Sequence, residues 1–359
     1  MGSLNLNSRV RLRPYLRERR RDAFADFEET NMPIPAFSGT NSSAPDSTSR
    51  CPLCSSPGAF SYQGMDLLFH KTQTYTYMEC NHCRAVYQDP MPTPGEIAGF
   101  YPDDYSLYEK TSHTKRHGHA ELAVLRHRFN YRHLRVPRLF RLLGPALAAF
   151  LYRDAIRFVP NGKGLDIGCG NGKFIHTMNS LGWHFQGVEF SSIAVNVCRE
   201  AGLKVFHGDV QAASFPDDTF DLVSARHVIE HVPNPDPFIG EITRILKKGG
   251  RLVIRTPNSQ ALGRKWFGKY WFANDVPRHL LLFCPANLRV LTERHGLRLV
   301  TEKTFTTPKI LLNSWDYLTG NRGKPSKKRK LLRLLAHLYI LLTTVTCRGD
   351  EVFAIWEKP

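Results

Sequence analysis

The sequence is short of acid. Against 49 lysines and arginines stand 32 aspartates and glutamates, a net charge of +17 over 359 residues with histidine neutral. A chain this basic meets polyanions readily: nucleic acid, an anionic membrane face or a phosphorylated substrate. The plainer alternative is that the charge only solvates the surface. Long apolar runs are lacking too. The longest, residues 331–346, is interrupted by Arg333 and His337 and is shorter than the roughly 18–20 residues a spanning helix needs. It reads as a buried helix of the main domain or, because "KPSKKRK" precedes it, as a membrane-surface helix. The N-terminus lacks the apolar stretch of a signal peptide and carries seven arginines between Arg9 and Arg21. Cysteine is too sparse for a disulfide framework. Of eight, Cys51, Cys54, Cys80 and Cys83 form two C-x-x-C pairs, while 169, 198, 284 and 347 are scattered. One metal site plus ordinary thiols implies a reducing, cytoplasmic setting. No internal repeat is visible.

What remains suffices for one large and one small core, at 42% hydrophobic and 11% aromatic residues. Residues 1–49 join an arginine-rich half to a Ser/Thr/Asn/Pro tract and read as a mobile basic arm and linker. Residues 50–90 hold the paired cysteines. Residues 91–153 form a bridge, with a short helix expected near 96–101, followed by a His/Arg-rich stretch broken by Pro137 and Pro145. That stretch is expected to be helices packing their apolar side on the main domain. From residue 154 onward, short apolar strands alternate with helical segments. The pattern predicts an α/β domain with a doubly wound, mostly parallel sheet. "LRLVTEKT" and "GDEVFAIWEKP" supply two further strands.

The stretch "GLDIGCGNGKF" asks what approaches its backbone. A phosphate-binding P-loop needs G-x-x-x-x-G-K-[ST], but Lys173 is followed by Phe174 and the glycine spacing fails. The dinucleotide fingerprint fails as well, since its third glycine would come one residue early. Asp166, moreover, ends the preceding strand, where a carboxylate opposes a pyrophosphate and suits a cation. The loop reads D-x-G-x-G-x-G through Asp166, Gly168, Gly170 and Gly172. Glu189 ends the next strand in "GVEFS", twenty-three residues on, placed as an acid that accepts from a ribose diol. "HGDV" brings Asp209 after a third strand. "FDLVSARHVIEH" and "KKGGRLVIRTPN" supply the fourth and fifth.

This five-part series, spanning roughly residues 163–258, resembles the core of class I S-adenosylmethionine-dependent methyltransferases. The resemblance implies a seven-stranded Rossmann-like sheet and S-adenosylmethionine as methyl donor. It implies cofactor contacts from Asp166, Gly168, Gly170, Gly172, Glu189 and Asp209, with Phe190, Val210 and Arg226 beside them. Asp209 would meet the adenine amino group or else cap the following turn. Cys169 fits a tight loop and is given no catalytic role.

"CPLC" and "CNHC", separated by twenty-five residues, place four thiolates around one ion. That is a structural Zn2+ arrangement like that of zinc ribbons, leaving no open coordination position for catalysis. His82 inside the second pair is expected at the surface. A zinc ribbon ahead of this core resembles a bacterial group of methyltransferases acting in natural-product and cell-surface glycan pathways, some of which methylate deoxysugar nucleotides at carbon. The resemblance leaves the acceptor open.

On the acceptor side, His227 and His231 frame "HVIEH" and would share one face if a helix has begun there. Quinone-pathway O-methyltransferases carry E-x-x-E-H at this place and can hold a divalent cation. This chain has His227 where their first glutamate stands, which argues against a metal. His231 can shape the pocket or act as base. The insertion at residues 269–283, "KYWFANDVPRHLLLF", mixes aromatics with Asp275, Arg278 and His279 in a composition suited to an acceptor pocket. His279 is the first candidate for general base. The expected function is methyl transfer to oxygen or carbon of a small-molecule, sugar or lipid-linked acceptor; peripheral contact to an anionic membrane face is one reading of the basic charge, beside RNA contact and no anionic partner at all. The alternatives are an RNA methyltransferase that binds through ribbon and arm, and a non-catalytic cofactor-binding scaffold. Against RNA, no N-P-P-[YF] motif follows the fourth strand. The oligomeric state stays open.

Overall fold

Why the glycine-rich loop lies where a ligand can reach it follows from the order of the strands. A computed structural model describes residues 49–101, 117–151, 156–320 and 327–359. Residues 1–48 of the basic arm and residues 324–326 of the second basic cluster lie outside the described residues.

The larger sheet has seven strands. In chain order they are β4 (Lys163–Ile167), β5 (His184–Glu189), β6 (Val205–His207), β7 (Phe220–Arg226), β8 (Leu246–Pro257), β10 (Arg298–Phe305) and β11 (Glu351–Glu357). Their spatial order is β10-β11-β8-β7-β4-β5-β6. The pairings among β4 to β8 are parallel, and β11 runs antiparallel to both β8 and β10. The crossover helices α4 (Lys173–Ser180), α5 (Ser192–Glu200) and α6 (Pro235–Ile245) bury Ile175, Met178, Val195, Ile239 and Ile242 against it. Both faces are thereby covered, as a sheet built from crossover units requires. The chain order reverses between β4 and β7. Such a switch point opens a crevice beyond the carboxyl ends of the strands, and Asp166 and Arg226 flank it.

The expected boundary between a small N-terminal domain and the main one is crossed by a strand. β1 (Gly58–Asp66), β2 (Lys71–Cys80) and β3 (Val86–Gln88) form an antiparallel sheet. Its fourth strand is β9 (Leu281–Leu282), from the insertion that follows β8. Core residues are continuous across the join, from Met78 and Tyr87 to Leu281 and Phe283. Residues 45–359 form one unit.

Several local expectations shift. The short helix of the bridge, α1, is Pro94–Ala98, started by Thr93 and Glu96 in a reciprocal capping box. The His/Arg-rich stretch does form helices, α2 (His119–Arg128) and α3 (Arg138–Leu151). Pro137 precedes α3, but Pro145 lies inside it. α2 buries Ala123, Val124 and Leu125 as expected. α3 leaves Leu139, Leu142 and Leu143 exposed, contrary to an inward apolar side. The last helix, α10 (Lys327–Val345), is not the buried helix its composition suggests. It packs through Ala336, Tyr339 and Thr343 and turns most of its leucines outward.

Candidate active site

The glycine loop is open at its middle. Gly168, Gly170 and Gly172 all have left-handed φ, at 62°, 54° and 76°. A methyl group on Gly168 would strike Val228, and one on Gly172 would strike Leu203, whereas one on Gly170 would meet nothing within 4 Å. The outer glycines are therefore needed for packing, and the central one borders open space. Glu189 braces this arc. Its Oε2 accepts the Gly170 amide at 2.7 Å and its Oε1 the Ser191 amide at 3.0 Å. Each oxygen keeps further acceptor capacity. Asp166 is buried, and burial lifts its pKa to about 6 against the pull of Arg226. The Arg226 guanidinium lies 3.5 Å from Asp166 and 3.7 Å from the centroid of Phe174. Phe190 is exposed and Val210 buried. The exposed Asp209 accepts the Ala212 amide at 2.7 Å, the turn-capping arrangement. An open central glycine beside two carboxylates fits a cationic donor such as S-adenosylmethionine.

The histidines separate into two roles. The i, i+4 helical face expected for His227 and His231 does not form. His227 has φ 56°, and a single turn of 3-10 helix covers Ile229–His231. His227 instead bridges two carboxylates, Nδ1 to Glu230 at 3.3 Å and Nε2 to Glu351 at 3.0 Å. Burial opposes its charge, but those two partners outweigh it and raise its pKa to about 9. It is a bound cation rather than a free base.

His231 and His279 face each other, ring centroids 4.8 Å apart. The Nδ1 of His231 lies 2.9 Å from the Arg278 carbonyl and 2.8 Å from the Tyr101 hydroxyl; the Nδ1 of His279 lies 2.8 Å from the Ala273 carbonyl. A carbonyl can only accept, so both Nδ1 atoms carry hydrogen; Nε2 of His279 is turned toward the carboxylates of Asp275 at 3.8 Å and Glu230 at 4.0 Å. Burial and the neighbouring His279 push His231 down to about 4, leaving it neutral at neutral pH. Beside the rings lies Glu230, fully buried. Burial would raise its pKa, but His227 foremost holds it at about 2. Its Oε2 accepts the Thr256 hydroxyl, while its Oε1 is the oxygen paired with His227 at 3.3 Å and stands 4.0 Å from His279 Nε2. Glu230, His231 and His279 each bring one donor atom within 4.8 Å of the others. Such a set can accept a proton or hold a divalent cation.

The N-terminal sheet positions this cluster. Tyr77 donates to the His279 carbonyl at 3.0 Å, the Gln88 amide to Leu280, and the Leu280 amide to the Glu230 carbonyl. Arg278 pairs with Asp66 at 2.7 Å and with Asp275 at 2.7 Å. The roles of Asp66, Tyr101 and Glu351 had no signal in the sequence, because each comes from an element remote from the motifs. The four ribbon cysteines also converge. Their sulfurs lie within 4.8 Å of one another, with Cys51 to Cys83 and Cys54 to Cys80 at 3.5 Å. That is too long for a disulfide of about 2.05 Å and close to the roughly 3.8 Å edge of a tetrahedron with Zn–S bonds of about 2.3 Å. Amides of Leu53 and Cys83 point at Cys51 and Cys80 sulfurs, as thiolates require. His82 is exposed, as expected.

Residues 131–302 match the family model described as a methyltransferase domain. That stretch, just under half of the chain, is similar to methyltransferase domains. Curated relatives match part of the chain. The ubiquinone biosynthesis O-methyltransferase of Maricaulis maris is 32% identical over 149 residues, 38% of this chain and 58% of that protein. The mitochondrial enzyme of the same name from Schizosaccharomyces pombe is 34% identical over 111 residues, 28% and 40%. The chain spans about half the length of the curated relatives it matches. Among solved structures, a methyltransferase from Archaeoglobus fulgidus aligns at 22% identity and TM-score 0.40, over 55% of this chain and 86% of that one. No helix among the described residues is long and apolar enough to cross a membrane.

Proposed function

We propose that the protein transfers the methyl group of S-adenosylmethionine to a hydroxyl oxygen of a small-molecule acceptor, with His279 as general base. The observation that carries this reading is the orientation of His279: the Ala273 carbonyl holds its Nδ1, which turns Nε2 toward Glu230. The donor supplies a methyl group on a sulfonium centre, a leaving group that departs neutral. The acceptor oxygen forms the new bond to carbon as its proton passes to His279. Glu230, ionised and 4.0 Å away, stabilises the imidazolium that results. Neutral His231 shapes the pocket opposite. The glycine arc, Glu189 and Asp166 hold the donor, and Cys51, Cys54, Cys80 and Cys83 hold a structural Zn2+ that fixes β3 and, through it, β9. The relatives named as O-methyltransferases support oxygen as the acceptor atom.

The experiment is methyl transfer from labelled S-adenosylmethionine to panels of phenols, sugars and RNA, using the full chain and His279→Asn. A small hydroxylated compound should be labelled, and the variant should lose about 10²–10⁴-fold in kcat with donor affinity kept. Labelling of RNA alone, or a fully active variant, defeats the proposal.

A further inference from the structure

α10 is amphipathic the wrong way round for a helix that only packs. Leu331, Leu335, Leu338, Leu341, Leu342 and Val345 are exposed, Leu338 by 63% and Val345 by 74%. At 3.6 residues per turn they fall on one side of the helix, covering roughly a third of its circumference. The side turned inward is Ala336, Tyr339 and Thr343, packed with Leu311 and Leu262. Burial is normally the stronger preference for leucine than for threonine, so an outward leucine stripe on this scale marks a surface with a partner.

The chemistry around the stripe narrows the partner. The first turn of α10 is Lys327, Lys328, Arg329 and Lys330, followed by Arg333, and the helix contains no acidic residue. Leucine, arginine and lysine in this order suit a bilayer interface, where basic groups meet anionic headgroups and apolar side chains enter the acyl boundary. A second copy of the chain fits less well, because the paired stripes would bring cations together with no carboxylate on the helix to offset them. Trp266 extends the patch. It is exposed by 54%, its ring lies 5.3 Å from that of Tyr339, and the exposed Lys265 and Lys269 flank it. Indoles favour this interfacial position. α3 repeats the composition, with exposed Leu139, Leu142 and Leu143 among exposed Arg138 and Arg141.

The patch is tied rigidly to the acceptor side. Buried Asp350 accepts from Tyr339 of α10 at 3.0 Å and from Trp271 of the acceptor insertion at 2.9 Å. We infer that the outward leucine stripe of α10, with its basic first turn and Trp266, docks the protein on an anionic lipid surface. The helix lies in the interface and does not cross it.

The test is co-sedimentation of the full chain with vesicles of phosphatidylserine and phosphatidylcholine, and with phosphatidylcholine alone, at low and high salt. Wild type should bind the anionic vesicles at low salt and weaken with added salt. Leu338→Glu/Leu341→Glu, both exposed, should reduce that binding at least about tenfold while donor affinity stays unchanged. Trp266 offers a readout independent of that variant: vesicles should shift tryptophan fluorescence to shorter wavelength in wild type and much less in Trp266→Phe. Absence of binding to anionic vesicles at low salt overturns the inference, as does equal binding by the leucine variant. Concentration-dependent dimerisation abolished by that variant, without vesicle binding, overturns it in favour of a second copy. RNA binding through the same leucines does so in favour of nucleic acid. None of these outcomes bears on whether methyl transfer occurs.

Discussion

Arg278 reaches back across 212 positions to Asp66, and the two form a buried ion pair with Nη1 to Oδ2 at 2.7 Å. Arg278 immediately precedes His279, so the end of β1 in the cysteine-bearing sheet sets where the candidate base stands. Asp66 also accepts the Leu68 and Phe69 amides. Removing it would strand a buried guanidinium beside Asp275 alone. Asp66→Ala is therefore expected to destabilise the protein by about 3–5 kcal/mol, the usual cost of breaking a buried pair from one side. Denaturant unfolding measures this, and a change below about 1 kcal/mol would show that the pair matters little.

Glu189 is expected to govern donor affinity. Glu189→Ala removes the acceptor that braces the Gly170 amide and that, on the proposed function, accepts from the donor's hydroxyls. A hydrogen bond to a charged group contributes about 1.5–3 kcal/mol, so affinity should fall about 10–150-fold. Calorimetry with S-adenosylmethionine checks it, alongside a melting curve that shows the domain still folded. Unaltered affinity would remove Glu189 from the site.

Metal removal should reach the active site. Purified protein is expected to contain about one zinc per chain. A chelator strong enough to extract it should loosen the turns holding β2 and β3, and with them the β3–β9 pairing that carries Leu281. Methyl transfer should decline in step with zinc loss and return on readdition. A metal-free protein that melts normally and keeps full activity would contradict this.

The ion-paired His227 predicts a loss of stability in mild alkali. Its folded pKa, about 9, lies above the unfolded value near 6.5. Its contribution is therefore complete below about pH 6.5 and is lost as pH rises through 9. Because the side chain is 42% exposed, solvent screening keeps the effect modest. Melting temperatures of wild type should fall over this window, and those of His227→Gln should fall less. Parallel curves would place His227 outside the network.

The sequence by itself determined the larger sheet and the course of the glycine loop within it. Residues 163–258 carry their information locally: an acid at a strand end, glycines at fixed offsets, and strand-length apolar runs. Backbone sterics and strand length make such signals readable without knowing the neighbours. The cysteine pairs were legible for the same reason, since two short turns each present two thiolates. Only the tertiary structure decided the acceptor side. His227 and His231 look equivalent in "HVIEH", yet the left-handed φ of His227 and the arrival of Glu351 from the last strand make one a fixed cation and leave the other neutral. β9 is two residues long and exists only because β3 lies beside it. The apolar run of α10 predicts burial equally well on any side. Which side faces inward was fixed by Asp350 and Leu311, which capture Tyr339 and Ala336. Local motifs encode what the backbone must do, whereas the charge state of a histidine and the outward side of a helix depend on groups brought together only by folding.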